Sequence, residues 1–227
     1  CAFCQTGQLG LGRNLTAGEI VEEFLLLEKE AGTLDNIVFM GMGEPMMNLD
    51  AIRKTVRVLT DKDGRNLSAR RITLSTSGII KGIYDLADNG PSLRLAVSLT
   101  TADPELRENL MPVTKSNPLP ELKQAIAHYI EKTGQRVTLE AALLSGKNTG
   151  KESAQRLIEF ARNLDVYINL IPWNPVPGLD FSTPTADECA TFTSYLEQAG
   201  LNVNLRTRRG TKIGGACGQL GRSTIDK

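Results

Sequence analysis

The chain has 227 residues, of which 41% are hydrophobic and 23% charged, and this composition predicts one globular domain over residues 1–227. The 26 Lys plus Arg residues balance the 26 Asp plus Glu residues, which argues against a basic surface over the whole protein but permits a local basic patch. The apolar runs fall short of the ~18–20 residues of a membrane span, and four cysteines do not indicate a secreted disulfide framework, so a cytoplasmic protein without membrane contact is predicted.

Short apolar β-type runs alternate with helical patterns about every 30–35 residues along the chain. Strands are predicted at 36–40, 71–77, 93–99, 137–144 and 166–172, followed by a last β-type segment at 202–207. Helices are predicted at 16–32, 51–60, 78–87, 118–132, 150–164 and 185–199, with a short one from Asp103. The first strand is expected to be buried on both faces, and a capping box of Thr16 and Glu19 is expected to begin the first helix.

This alternation predicts a parallel sheet with crossover helices, as in an α/β barrel or a doubly wound sheet. Glycines and polar residues cluster just after the strands, where barrel sites lie. The first helix is not preceded by a GxGxxG sequence, so the fingerprint of a dinucleotide-binding fold is missing. Both observations favour the barrel.

Two cysteines three positions apart, Cys1 and Cys4, open the sequence. Their spacing fits a redox dithiol, half of a zinc site or part of an iron–sulfur cluster site. A redox dithiol normally lies at the start of a helix, whereas residues 5–15 are glycine-rich and predicted to be irregular. Cys189 lies within a predicted helix and is expected to be a packing residue. Cys217, flanked by glycine and alanine, is expected to be accessible and reactive.

Polar loops follow several of the predicted strands. Residues 41–45 (GMGEP) offer glycine backbone groups and the carboxylate of Glu44, which suits an ammonium group, although a plain tight turn also fits. Segments 75–77 and 98–100 carry hydroxyls that can bind a carboxylate or a ribose, or cap the next helix. Asn174 can bond an adenine or carboxylate edge, or serve as a turn residue before Pro175.

Two further features bear on function. Residues 206–212 carry four positive charges, which fits either a solvated surface or a segment that neutralises phosphates. His128 is the only histidine and lies on a predicted helix, so neither a histidine metal site nor a hydrolytic triad is expected.

Taken together, these residues resemble the radical S-adenosylmethionine RNA adenosine methyltransferases of the RlmN/Cfr family, and the RlmN branch more closely. The resemblance extends over essentially the whole chain. It rests on Cys1-x-Phe3-Cys4 and on the segments 13–15, 41–45, 48–49, 74–78, 96–99, 169–175 and 216–220.

The resemblance implies a partial (β/α)6 barrel of the TIM type whose first strand is missing from this chain. It also implies a [4Fe–4S] cluster held by three cysteines of a CxxxCxxC motif. Cys1 and Cys4 match the second and third of these, so the first is expected four residues before Cys1, and the chain is expected to lack its N-terminal RNA-binding domain. Contacts to S-adenosylmethionine are implied for Gly43, Glu44, Ser75, Ser98, Leu99, Thr100 and Asn174, although the family carries histidine at the position of Thr100.

The family's activity implies a role for Cys217. One S-adenosylmethionine methylates its thiolate, and a second is cleaved to a 5′-deoxyadenosyl radical that abstracts hydrogen from the S-methyl group. The carbon radical adds to C2 of an adenine, and a second cysteine, upstream in the family, resolves the crosslink. The implied partners are 23S rRNA, tRNA and an external electron donor, and a monomer is expected.

Three other functions stay open from the residues alone. One is methylation at adenine C8, as in the Cfr branch, and another is radical chemistry on a substrate other than RNA. The third is an α/β binding module without catalysis, in which the basic segment 206–212 would be the whole function.

Overall fold

A computed structural model describes residues 1–207 and 218–219. Cys217 and residues 208–212 of the basic segment lie outside the described residues. Within the described part, six strands form one sheet in which every strand runs parallel to the next one along the chain. The strands are β1 (Ile37–Phe39), β2 (Ile72–Thr76), β3 (Arg94–Ser98), β4 (Val137–Leu143), β5 (Val166–Pro172) and β6 (Asn202–Leu205).

The sheet confirms the predicted α/β class with parallel strands. The β-type segment predicted at 202–207 is also confirmed, because it contains β6, the sixth strand of the sheet. In β6, Asn202 pairs with Tyr167 of β5 and Leu205 pairs with Leu170. The carboxyl ends of all these strands consequently lie along one edge of the sheet.

Two helices precede β1, and the others lie in the connections between the strands. They are α1 (Gln5–Gln8), α2 (Ala17–Ala31), α3 (Leu49–Thr60), α4 (Ile80–Asn89), α5 (Pro104–Leu110), α6 (Leu119–Thr133), α7 (Lys151–Ala161) and α8 (Ala186–Gln198). The predicted capping box at Thr16 and Glu19 begins α2, and Thr185 and Glu188 form a second one at α8. No helix in the described ranges has the length and apolar character to cross a membrane.

The prediction that the first strand is buried on both faces was wrong. Val38, in the middle of β1, is 54% exposed, whereas Ile37 and Phe39 are half-buried. The reason is the position of β1 at the edge of the sheet, since β2 is its only neighbouring strand among the described residues. An apolar run of three residues does not by itself distinguish an edge strand from a central one.

The main core lies between the sheet and its helices. Alternate residues of the strands, such as Leu139 and Leu143 of β4 and Ile168 and Leu170 of β5, pack there. Their neighbours along the strands point to the opposite face, which is polar at several positions. A second, smaller apolar cluster lies beyond the strand ends and contains Leu110, Met111, Leu144, Trp173 and Val176, with Phe3 packed against it.

One close approach ties α4 to the turn that follows β1. A Cβ atom added at Gly82 would lie 2.6 Å from the Cβ of Met46, a separation that non-bonded carbons do not adopt. Glycine therefore lets α4 press against the 45–48 turn, which begins next to Glu44.

We expect Gly82→Ala to destabilise the protein by about 3 kcal/mol, because overpacking against the Met46 side chain outweighs the roughly 1 kcal/mol gain in helix propensity. Denaturant unfolding measures the change. Gly18→Ala is the matched control, since Gly18 also lies in a helix but its added Cβ would meet only the Thr16 hydroxyl at 3.9 Å. Equal stability of the two variants would contradict the packing argument.

Candidate functional site

Glu44 joins the loop after β1 to the loop after β2. One carboxylate oxygen accepts hydrogen bonds from the Ser77 hydroxyl at 2.6 Å and the Ser77 N–H at 2.8 Å. The other accepts from the Met46 N–H at 3.1 Å and so caps the 3₁₀ turn Pro45–Asn48. Gly43, just before it, has a φ of +110°, a backbone conformation that favours glycine. These bonds fix the carboxylate and leave acceptor capacity on its second oxygen.

Arg107 joins the loops after β2 and β3. Its side chain is completely buried, and its guanidinium donates to the carbonyls of Leu99 (3.1 Å), Ser77 (2.8 Å) and Ser98 (3.3 Å) and to the Thr114 hydroxyl (2.7 Å). No carboxylate pairs with it among residues 1–207 and 218–219. Burial lowers the pKa of Arg107 to about 10, so it stays charged at neutral pH.

The loop after β3 has a strained backbone. Thr100 has a φ of +63°, which is rare for a β-branched residue. Its N–H and that of Leu99 both donate to the Glu140 carbonyl, at 3.0 and 2.9 Å. The Asn148 side-chain amide holds the Thr100 carbonyl at 2.9 Å. The surrounding strand and loop therefore impose this conformation at a predicted S-adenosylmethionine contact.

A polar row crosses the sheet on the face opposite the main core. Ser98, Glu140, Asn169 and Asn204 lie on adjacent strands in register. The Asn204 amide donates to the Asn169 side-chain carbonyl at 2.8 Å, and the Asn169 amide donates to the Glu140 carboxylate at 3.0 and 3.2 Å. Burial raises the pKa of Glu140, and the Asn169 hydrogen bond and the charge of Arg206 oppose that shift.

The loop that carries Cys1 and Cys4 is bonded to three other parts of the chain. The Ala2 N–H donates to the Leu110 carbonyl at 2.8 Å, and the indole N–H of Trp173 donates to the Phe3 carbonyl at 2.9 Å. The Gln5 N–H donates to the Gly218 carbonyl at 2.9 Å. Helix α1 begins directly after Cys4, so the expectation that residues 5–15 are irregular throughout was wrong.

Both cysteines of this loop have free thiols; Cys1 is exposed and Cys4 half-buried. Cys189 is 3% exposed and packs within the main core, as the packing prediction required. No group of three or more His, Cys, Asp or Glu side chains that could hold a metal ion occurs in the described residues. The thiols of Cys1 and Cys4 are soft ligands of the type that iron–sulfur clusters and zinc bind.

The other predicted site residues line the same edge of the sheet. Ser75 lies on β2 and is 6% exposed, Ser98 ends β3, and Asn174 follows β5 and is 4% exposed. The structure adds residues that sequence reasoning missed: Ser77 as the partner of Glu44, Arg107, Glu140, Asn148 and the indole of Trp173. Arg107 lies in a short charged helix, where nothing in the sequence pattern distinguishes it from a surface residue.

Comparisons with known proteins match this arrangement. Residues 1–161 match the family model described as the radical SAM superfamily. The chain belongs to the radical SAM superfamily. It is 64% identical over 97% of its length to a protein of Treponema denticola named as a probable dual-specificity RNA methyltransferase RlmN, and 47% identical over 97% to a protein of the same name from Moorella thermoacetica. The resemblance inferred from the sequence is thereby confirmed.

The chain spans 64% of the length of each of these two relatives. A solved radical SAM methyltransferase from Sphaerobacter thermophilus superposes with a TM-score of 0.93 at 43% identity, over 96% of this chain and 65% of that one. Streptococcus suis SuiB, solved with S-adenosylmethionine bound, has a TM-score of 0.65 at 18% identity over 92% of this chain and 48% of its own. At that identity it supports the fold alone, and the predicted barrel class is confirmed.

Membership of this superfamily confirms the predicted cofactors, a [4Fe–4S] cluster and S-adenosylmethionine. The described residues fit both groups in chemical type. Thiolates are the usual ligands of such clusters, and Cys1 and Cys4 carry side chains of that type. A Cβ at Gly7 would lie 3.0 Å from the Cys1 nitrogen, so helix α1 packs closely against this loop. Glu44 supplies the anion that an amino group requires.

The raised pKa of Glu140 makes a prediction about stability. The folded protein holds a proton that the unfolded chain releases near pH ~4.3, so this group's contribution to stability falls as pH rises from about 4 towards the raised pKa. The Glu140→Gln variant has no titratable carboxyl at this position, so its stability does not fall for this reason as the pH rises. Its free energy of unfolding should therefore rise relative to that of the parent protein as the pH increases above about 4, as measured by urea unfolding.

Glu188→Gln is the control with the opposite sign. Hydrogen bonds from the Thr185 N–H and the Ser145 hydroxyl lower the pKa of Glu188. Its stabilising contribution is present above the unfolded pKa and disappears as pH falls through the folded pKa. Glu188→Gln should therefore have a lower free energy of unfolding than the parent protein at neutral pH. The two values should converge as the pH falls. Parallel pH profiles for Glu140→Gln and the parent would contradict the assignment to Glu140.

Proposed function

We propose that the protein containing this chain methylates C2 of an adenosine in 23S rRNA, and also in tRNA, through an S-methylated Cys217. One observation carries this proposal. The Gln5 N–H donates to the carbonyl of Gly218, which is joined to Cys217 by a peptide bond, and Gln5 follows Cys4 directly. A methyl-carrying thiol must lie near the site where the radical forms, and this contact supports that proximity. A relative that is 64% identical to this chain is named as a probable dual-specificity RNA methyltransferase RlmN.

Each of the predicted site residues that the structure describes has a proposed role. Cys1 and Cys4 hold two corners of the cluster. Glu44 accepts the ammonium group of S-adenosylmethionine on its second carboxylate oxygen, and Gly43 lets the backbone approach it. The remaining proposed contacts are Ser75, Ser98, Leu99, Thr100 and Asn174, which are all buried or half-buried at the carboxyl edge of the sheet.

Cys217 performs the polar half of the chemistry. Its thiolate attacks the methyl carbon of a sulfonium, the new S–CH₃ bond forms as the old one breaks, and S-adenosylhomocysteine leaves. When bound, the cluster supplies the electron that cleaves a second S-adenosylmethionine reductively. Such a route suits the substrate, because C2 of adenine is not nucleophilic and cannot accept a methyl group by simple displacement.

The wider setting is part of the same proposal. Residues 1–227 form one radical SAM catalytic domain, and the protein acts as a cytoplasmic monomer with an external one-electron donor. Residues 206–212, with their four positive charges, neutralise phosphates of the RNA.

We expect Cys217→Ala in the complete natural polypeptide to reduce RNA methylation below detection while S-adenosylmethionine still binds. Cys189→Ala is the matched control and should retain methylation, because Cys189 is buried in the main core. Mass spectrometry of digested RNA measures the product, and a labelled methyl group on the peptide containing residue 217 measures the intermediate. Methylation by Cys217→Ala would contradict the proposed mechanism.

The same product analysis separates the other candidate functions. We expect 2-methyladenosine. A product of 8-methyladenosine would assign the protein to the Cfr-like alternative. Failure of the reconstituted polypeptide to methylate RNA, while it still cleaves S-adenosylmethionine, would favour a substrate other than RNA. Lack of iron uptake and of cleavage would favour a binding module.

Glu44→Gln should weaken S-adenosylmethionine binding by roughly 10–100-fold, because a charge-assisted hydrogen bond to the ammonium group becomes a neutral one. Ser77→Ala keeps the charge of Glu44 and removes only its hydroxyl anchor, so a smaller effect, about tenfold or less, is expected. Isothermal titration with the iron-loaded polypeptide measures both. Equal losses in the two variants would show that Glu44 acts through the shape of the loop rather than through its charge.

A further inference from the structure

Trp173 reaches from the end of β5 to the middle of the cysteine loop. It is the only tryptophan of the chain and is 5% exposed. Its indole N–H donates to the carbonyl of Phe3, 170 residues away, at 2.9 Å. Phe3 lies between Cys1 and Cys4, so this bond holds the loop at its centre, whereas the bonds from Ala2 and Gln5 hold its two flanks.

The indole is itself held in place from several directions. The backbone N–H of Trp173 donates to the Leu143 carbonyl at 3.0 Å. The backbone carbonyl of Trp173 accepts from the Thr183 hydroxyl at 3.0 Å. The ring packs edge-on against Phe181, with centroids 5.9 Å apart and planes at 65°. With both backbone groups and the ring constrained, the indole N–H occupies a position set by β5 rather than by the cysteine loop.

The same corner of the fold also receives the segment next to Cys217. The Gln219 side-chain amide donates to the Pro175 carbonyl at 2.8 Å. Gly218, one residue earlier, accepts from the Gln5 N–H. A Cβ atom at Gly218 would lie 3.7 Å from the Phe3 carbonyl oxygen. Residues 173–175, the cysteine loop and the 218–219 segment thus form a closed circuit of hydrogen bonds.

We propose that Trp173 is a positioning residue: its indole N–H sets the cysteine loop in the arrangement that receives the cluster, and aligns that loop with the 218–219 segment beside Cys217. The inference rests on the proposed function for the roles of Cys1, Cys4 and Cys217. It goes beyond that function because it assigns a positioning role to Trp173, which is not one of the proposed ligands of the cluster. Trp173 acts through Phe3 and touches neither thiol in its hydrogen bonding.

The positioning role depends on the indole N–H group and not only on the bulk of the ring. Phe3 and Trp173 belong to the same apolar cluster, so their burial alone stabilises this region. Packing is not directional, however, and it leaves the peptide planes of residues 1–4 free to rotate. The hydrogen bond orients the Phe3 carbonyl, and because peptide units are planar this restricts the peptide that leads to Cys4.

The experiment compares Trp173→Phe with Phe181→Leu in the complete natural polypeptide. The first variant removes the N–H and keeps an aromatic ring, whereas the second disturbs the packing of the ring and keeps the N–H···O bond. Hydrogen exchange of the iron-free protein is measured over residues 1–8. We expect about five- to tenfold faster exchange in Trp173→Phe, the loss of roughly one hydrogen bond's free energy, and parental exchange in Phe181→Leu.

Two spectroscopic readouts follow on the reconstituted proteins. Trp173→Phe should bind less iron per chain, and the electron paramagnetic resonance line shape of its reduced cluster with S-adenosylmethionine should change. Phe181→Leu should keep both, even if its melting temperature falls. If Trp173→Phe does not fold, 3-benzothienylalanine at position 173 replaces the N–H by sulfur in a ring of nearly the same shape and is expected to give the same exchange result.

The outcomes distinguish this inference from the proposed function. Parental exchange over residues 1–8 in the variants lacking the N–H would overturn the positioning role, whether or not RNA is methylated. Equal acceleration in Phe181→Leu would also overturn it, because the effect would then come from packing. Faster exchange in Trp173→Phe, combined with a parent protein that does not methylate RNA, would support the positioning role and contradict the proposed function.

Discussion

The site depends on how backbone groups are satisfied where the parallel strands end. Beyond the last residue of each strand, N–H and C=O groups lose their ladder partners and need others if they are buried. The Arg107 guanidinium donates hydrogen bonds to three carbonyls at the ends of β2 and β3. The Asn148 side-chain amide donates to the carbonyls of Thr100 and Ala142. Because side chains and not strands make these bonds, the loops can adopt conformations such as the positive φ of Thr100.

Ser77 lies between a cation and an anion. Its carbonyl accepts from Arg107, while its N–H and hydroxyl donate to Glu44. The N–H and C=O dipoles of Ser77 thus lie between the charges of Arg107 and Glu44. The two charged side chains interact through Ser77 and do not contact each other directly. Arg107 gains partners for its buried charge, and Glu44 gains an orientation. A direct ion pair would instead neutralise the carboxylate that the proposed site requires for an ammonium group.

Regular structure followed from the sequence where local signals were strong. The capping box of Thr16 and Glu19, Asp103 before Pro104, and apolar periodicity located helices, and strand 166–172 agrees with β5 residue for residue. Glu44 could be predicted as a site residue because a glycine loop after a strand is itself a signal. Arg107 and Glu140 carry no such signal, because charged residues in a sequence ordinarily indicate exposure. Their burial arises from contacts 7 to 30 residues away, which a local pattern does not encode.

The conformation of the cysteine loop depends on contacts with residues that are distant in the sequence. Its bonds run to Leu110, Trp173 and Gly218, and none of these partners is near it in sequence. Closing such distant contacts carries an entropic cost that the short loop cannot offset alone. The packed sheet must therefore be in place through β5 before Phe3 acquires its partner. It follows that the folded sheet arranges the cysteine loop, and that the cluster of the proposed function would enter a site already defined by tertiary structure.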